Sequence, residues 1–309
     1  MRYTRTLCFS AALALFAGPV LAQELPQEGP VPTTALINVE SKNPVQLDPH
    51  ALNLQVNGRD TPINSLSSAA SGNFEVAILI DDGLRSSFGQ QLRELSAFIN
   101  SLPPNGKVLV GYMQNGTVRS SGHFTADHQE ISDDLRVTMG VPGSSASPYF
   151  CLSDFVKKWP SQQPAARFVM MLTNGVDPYN GSTSITNQDS PYVASAVTDA
   201  QRAGVPVYSI YYADAGFRGG RGSFSGQSYL AQMAQGTGGT SYYLGTGSPV
   251  SLAPFLKQFH DAVVETYVAT FPVDGNKKMV GLKLSTTLPK TKLNAPQEIR
   301  PGTIVLSQP

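Results

Sequence analysis

Residues 76–80 form an unbroken run of aliphatic side chains and alanine, which stops abruptly at Asp81-Asp82-Gly83-Leu84-Arg85-Ser86-Ser87. A strand that is apolar on both faces belongs inside a parallel sheet covered by helices on each side. Beyond the polar stretch, Leu92, Leu95 and Ile99 recur three and four apart, which predicts a helix over residues 90–99. A buried strand thus ends in a polar loop that opens a helix. In open α/β sheets, ligands sit at such carboxyl ends.

The same alternation continues. Residues 107–113 predict a second buried strand, and Asn115-Gly116 turns it into a polar-alternating edge strand over 117–124. Residues 127–136 and 151–159 read as helices. Residues 167–172 predict a third buried strand, ending in Thr173-Asn174-Gly175-Val176-Asp177. A helix over 192–203 ends at Gly204. A fourth strand over 205–212, a short helix over 229–234, a strand over 240–244 and an amphipathic helix over 252–266 complete the series. The fold class expected for residues 73–272 is α/β, a doubly wound, mostly parallel sheet with helices on both faces.

The flanks carry a different pattern. Residues 23–32 contain Pro26, Pro30 and Pro32 without apolar periodicity and read as a spacer. Short β-like pieces follow at 35–39, 52–56 and 61–63, with Asn57-Gly58 as a turn after the second. After the last helix, residues 267–273 and 279–286 alternate around the turn Asp274-Gly275-Asn276. Neither flank holds enough strands to be stable alone. Residues 23–72 and the 273–309 hairpin are therefore expected to combine, with the tail packing on 35–63 as a small β module.

Composition and charge narrow the class. Arg2 and Arg5 precede mostly apolar residues 7–21, and Val20-Leu21-Ala22 supplies the small residue of a cleavage site. Residues 1–22 thus read as a signal peptide, and the protein as secreted or periplasmic. The apolar run falls short of the ~20 residues of a membrane helix, and no later stretch is apolar enough to span a bilayer. The whole chain has 22 basic and 22 acidic residues. Losing Arg2 and Arg5 leaves the remainder slightly acidic, which argues against nucleic acid or an anionic membrane as partner. Past the leader, Cys151 stands alone among apolar neighbours and reads as a buried thiol.

Two motif tips and the strand order between them carry a resemblance. Ile80-Asp81-x-Gly83 after the first buried strand and Leu172-Thr173-Asn174-Gly175 after a central one resemble a von Willebrand factor type A domain. More narrowly, the β-piece, A-domain, β-tail layout resembles secreted bacterial proteins of the Acidobacteria type. The resemblance implies a protein-binding rim at the strand tips. It also implies a divalent-cation adhesion site built from Asp-x-Ser-x-Ser, a threonine from a second loop and an aspartate from a third.

This chain departs from that pattern at each loop. Counted from Asp81, the serine positions hold Gly83 and Arg85; counted from Asp82, they hold Leu84 and Ser86. Ser145 or Ser147 would stand in for the threonine, and Asn174 replaces the aspartate. The oxygens on offer to Mg²⁺ or Mn²⁺ are those of Asp81, Asp82, Ser86, Ser145 and Asn174. Arg85 would repel the ion by ~1–4 kcal/mol. The expectation is a degenerate site without a tightly bound cation, weak binding staying open. In it Asp81 pairs with Arg85 or caps the next helix, and Arg85 takes the place of the ion.

His50, His123, His128 and His260 lack metal-ligand spacing, and no nucleophile elbow or zinc-protease motif occurs. The glycine-rich residues 216–226 are expected to form a mobile loop near the tip. Asn115-Gly-Thr117 and Asn180-Gly-Ser182 match the glycosylation pattern. The function expected is a non-enzymatic, adhesion-type protein-binding module acting through Asp81, Arg85, Ser86, Asn174 and Asp177. The alternative is a structural part of an envelope or extracellular assembly, joined through the β module.

Overall fold

A computed structural model describes residues 29–41, 45–180, 188–213 and 221–305. The leader expected at 1–22 lies outside them, as do residues 216–220 of the glycine-rich stretch and Ser182 of the second sequon.

The strands are β1 (Pro30–Ser41), β2 (Leu52–Val56), β3 (Arg59–Asp60), β4 (Ser65–Ser68), β5 (Phe74–Asp81), β6 (Gly106–Gln114), β7 (Thr117–Ser120), β8 (Ala166–Thr173), β9 (Val207–Tyr211), β10 (Ser241–Tyr242), β11 (Thr266–Asp274), β12 (Val280–Thr286), β13 (Thr291–Asn294) and β14 (Glu298–Ile299). The helices are α1 (Leu92–Ser101), α2 (His128–Asp133), α3 (Pro148–Lys157), α4 (Pro191–Ala203), α5 (Arg221–Thr237) and α6 (Ala253–Val264). None is long and apolar enough to cross a membrane among the described residues.

The central sheet runs β10-β9-β8-β5-β6-β7. β5, its first strand in the chain, lies in the middle, parallel to β6 and β8, while β7 is the antiparallel edge. Every residue of β5 is buried, because its two faces feed two separate cores. Val76, Ile78 and Ile80 pack with Leu95 and Phe98 of α1 and Phe259 of α6. Ala77 and Leu79 pack with Tyr149 and Leu152 of α3, Val193 of α4 and Tyr229 of α5. Of the two acids in this strand, Glu75 sits at its amino end and accepts from Trp159 Nε1 at 2.7 Å. The result is a mostly parallel sheet with helices on both faces.

The flanks build two further sheets, β13-β1-β11-β4 and β14-β12-β2-β3. Thr33 pairs with Phe271 across β1 and β11, and Leu54 with Leu284 across β2 and β12. Ala35, Phe271 and Val273 of one sheet meet Leu54, Val56, Val280 and Ile299 of the other in a third core. Leu36 and Val268 point the other way, into the core of the central sheet. Alternate residues of β1 and β11 thus tie the sandwich to the α/β unit.

Several elements differ from the pattern-based expectation. β1 begins at Pro30, inside the stretch read as spacer, because its prolines lie in a strand that can spare donors. Residues 61–63 form no strand; β3 and β4 flank them instead. The short helix expected at 229–234 is the middle of the 17-residue α5. Residues 221–226, expected in a mobile loop, form its first turns.

Candidate functional site

Asp81 ends β5 and is 3% exposed. Its Oδ1 accepts from Gly83 N at 2.9 Å, which turns the chain sharply at the strand tip. Its Oδ2 accepts from Thr173 Oγ1 at 2.8 Å and Ser145 Oγ at 3.2 Å. Thr173 ends β8, and Ser145 lies in the loop before α3. Three loops therefore converge on one carboxylate, two of them through hydroxyls.

Asp82 faces elsewhere, and its side chain is fully buried. Arg136 grips it with both guanidinium branches, Nη1 to Oδ1 and Nη2 to Oδ2, at 2.8 Å each. Met139 N adds a bond to Oδ1 at 3.0 Å, and Gln114 Nε2 donates to Oδ2. The arginine lies over the Tyr112 ring at 3.8 Å, while Tyr112 Oη accepts from Arg136 N and donates to Arg136 O. Burial pushes the Asp82 carboxyl up, but the bonds from Arg136, Gln114 and Met139 outweigh it and hold the acid below its ordinary value. Bidentate charge-assisted pairs of this kind fix geometry as well as charge. The segment from Arg136 to Gly140 is strapped onto the tip, with Gly140 N also donating to Asp82 O at 3.1 Å.

This geometry corrects the expected Asp81–Arg85 contact. Among the described residues no ion pair joins the two, and Asp81 caps its own turn rather than the next helix. Arg85 instead precedes the 3₁₀ turn Ser86–Gln91, with its N–H directed to Ala213 O at 3.5 Å. The acid that meets an arginine at this rim is Asp82, and the arginine is Arg136. A contact across 54 positions leaves no local periodicity to read.

The remaining expected residues divide. Asn174 follows Thr173 and is 6% exposed, with its Oδ1 accepting from Val176 N at 2.9 Å. Asp177 is also buried; it accepts from Tyr179 N and from Ser190 Oγ at 2.7 Å, and Ser190 in turn caps α4. Its role is to seat that helix. Ser86 is exposed at the start of the 3₁₀ turn, away from the hydroxyl cluster on Asp81. Of the five residues named for a cation, Asp81 and Ser145 meet, Asn174 is a chain neighbour of Thr173, Asp82 is held by Arg136, and Ser86 lies exposed on the 3₁₀ turn.

That donor set does not fit a divalent cation. A hard cation wants about six oxygens, carboxylates foremost. Among the described residues Asp81 is the one acid at the cluster, both its oxygens already accept hydrogen bonds, and the positions that would supply serine hydroxyls hold Gly83 and Arg85. Among the described residues, no three or more His, Cys, Asp or Glu side chains group as a metal site.

The surface of this face is made by other residues. Val137 and Met139 stand exposed on the strapped segment and Val141 just past it; Tyr179 does so after β8, and Leu244 and Val250 after β10. All six belong to loops at the carboxyl ends of the parallel strands. Phe150 ties Tyr179 to Tyr192 of α4 through ring contacts of 5.1 and 5.0 Å.

No protein-family model matches the chain, and no curated protein matches it in sequence. Solved structures do. The chain is similar in fold to a von Willebrand factor type A protein from Catenulispora acidiphila, at 12% identity and a TM-score of 0.44 over 89% of this chain and 75% of that one. It is similar to the conserved hypothetical protein BatB from Bacteroides thetaiotaomicron, at 13% identity and a TM-score of 0.43 over 62% of this chain and 97% of that one. It is also similar to the ArnB paralog VWA2 from Sulfolobus acidocaldarius, at 9% identity and a TM-score of 0.38 over 87% and 76%.

Proposed function

We propose that the chain is an exported, non-enzymatic protein-binding module that engages its partner through the carboxyl-end face of the central sheet without a resident cation. The observation that carries this reading is the concentration of exposed large apolar side chains there, around Met139 and Leu244. Apolar side chains clustered on one face, with polar groups held beneath them, mark an interaction surface. Arg85 and Arg136 lie at the same rim and are partly exposed, which sets positive charge beside the apolar side chains. The buried Asp81 cluster then serves as the frame that fixes the loops.

The non-enzymatic part rests on the cluster's chemistry. Thr173 and Ser145 donate to a carboxylate, and no histidine joins them; His128 Nε2 lies 2.9 Å from Gly106 O, at the amino end of β6. Export rests on residues 1–22.

The test is affinity capture from an extract of the producing organism, comparing wild type with the double variant Met139→Asp/Val141→Asp. A partner retained by wild type and lost from the double variant supports the tip. A partner held equally by both overturns it and favours attachment through the sandwich, whose third core gives the flanks a body of their own.

A further inference from the structure

A cleft of about 650 Å³ opens between β10, the end of β1 and α6. Ser209 N donates to Thr240 O at 3.0 Å, and Ser241 and Tyr242 stand opposite Ser209 and Ile210. In a parallel ladder both main-chain groups of a residue face the same neighbour. With Thr240 and Tyr242 turned to β9, the N–H and C=O of Ser241 and Tyr243 are turned outward, and both residues line the cleft. Among the described residues no hydrogen bond engages their main chain on that side. An edge of this kind is a template for another strand.

The walls supply side-chain recognition. The Tyr242 ring stacks on Phe255 of α6 at 6.0 Å, an apolar floor. Of the three acids lining the cleft, Glu40 is paired with Lys292 at 3.2 Å and Asp261 with Lys257 at 2.6 Å. Glu265 stands exposed at the end of α6 and has no ion-pair partner among the described residues; partial desolvation, then Asp261, raises its carboxyl above the ordinary value, with Lys257 opposing. A cation arriving there would find its partner in Glu265, since Asp261 is already held by Lys257 and Glu40 by Lys292, with Lys290 the remaining lysine of the lining.

We propose that β10 is a docking edge for an extended peptide of a partner protein, its main chain pairing with Ser241 and Tyr243 and a lysine or arginine side chain meeting Glu265. The peptide extends the six-stranded sheet by one strand and fills the gap between it and the sandwich. Main-chain bonds hold the peptide, and the acid sets its register. This does not depend on the tip, so failure of one leaves the other standing.

The experiment uses the full chain and a phage-displayed library of random nonapeptides. Selected sequences are expected to be rich in β-branched residues with one basic position. A fluorescein-labelled synthetic copy of the best should protect the Ser241 and Tyr243 amides from hydrogen exchange. Anisotropy should show at least tenfold weaker binding after N-methylation of the pairing amides and after Glu265→Lys, whose fold is checked by thermal unfolding. Met139→Asp at the tip should leave the affinity unchanged. A library that yields no binder overturns the proposal. So do peptides that protect only the tip loops, peptides indifferent to N-methylation and Glu265→Lys, or a self-association of the chain that occupies the same edge.

Discussion

Arg136 reaches back 54 positions to hold both oxygens of Asp82 at 2.8 Å, and with them the loop that carries the exposed Met139. The acid is fully buried and the guanidinium 42% exposed, so the pair sits at the boundary between core and surface. Arg136→Met removes the charge and leaves the carboxylate with Gln114 and Met139 N. Losing one partner of a fully buried pair costs ~3–5 kcal/mol, and the half-exposed arginine brings the expected loss down to about 2 kcal/mol. Urea unfolding should show a lower midpoint at unchanged slope, and hydrogen exchange should show Met139 and Gly140 losing protection first.

The same pair gives the protein an acid limit. Burial raises the Asp82 carboxyl, and the bonds from Arg136, Gln114 and Met139 more than reverse that, leaving it below the ordinary 3.8. A depressed folded pKa contributes stability that is complete above the unfolded value and lost as pH falls through the folded one. Urea midpoints taken from about pH 6 to about pH 2 should therefore hold steady and then drop below about pH 4. Asp82→Asn should start lower and fall less steeply over that window; an unchanged profile would show that Asp82 does not contribute.

Thr173→Val and Ser145→Ala each remove one hydroxyl donor from Asp81 Oδ2. Each should cost about 1–3 kcal/mol, since the acceptor is a buried charge. Because both donors serve one atom, the double variant should depart from additivity by at least ~0.5 kcal/mol. Denaturant curves of the four proteins in the cycle measure this.

Calorimetric titration with Mg²⁺ and with Mn²⁺ should give no heat attributable to a site. Both oxygens of Asp81 are engaged by donors, and the neighbouring acid is committed to an arginine. Micromolar binding that disappears in Asp81→Ala would reverse this conclusion.

Gly226 lies on the first turns of α5, where an added Cβ would come within 2.1 Å of Asn174 O. Gly226→Ala must push the helix off the β8 tip, an overpacking cost of ~1–3 kcal/mol. At about 2–4 °C per kcal/mol for a chain of this size, the expected fall in Tm is about 2–12 °C. Gly247→Ala, with nothing within 4 Å of its Cβ, should change Tm by less than a degree or two, about 0.5 kcal/mol at most.

These sites also mark where the sequence could be read. β5 was legible because burial on both faces demands an uninterrupted apolar run, and its abrupt end at Asp81 located the rim. Gly204 announced the end of α4 because only the left-handed conformation, φ 68° here, suits that cap. Arg136 was not legible, since its partner is set by how a loop folds over β5 rather than by any spacing along the chain. The start of α5 was misread for a related reason. Glycines in a row ordinarily signal a loop, but Gly226 serves close approach to the Asn174–Gly175 backbone, and tertiary packing overrode propensity. The burial of Asp177 was hidden likewise, because nothing local marks Ser190 as its partner.

The pairing of β1 with β11 and β13 has a temporal consequence. β1 can find neither neighbour until β11 and β13, far downstream of it, have been made. Closing so long a loop costs little more entropy than closing one of half the length, but it makes the contact late. The α/β unit can assemble in the meantime, with Leu36 and Val268 absent from its core. Until the tail arrives, that unit shows an uncovered apolar flank, and a chaperone would have its best hold there.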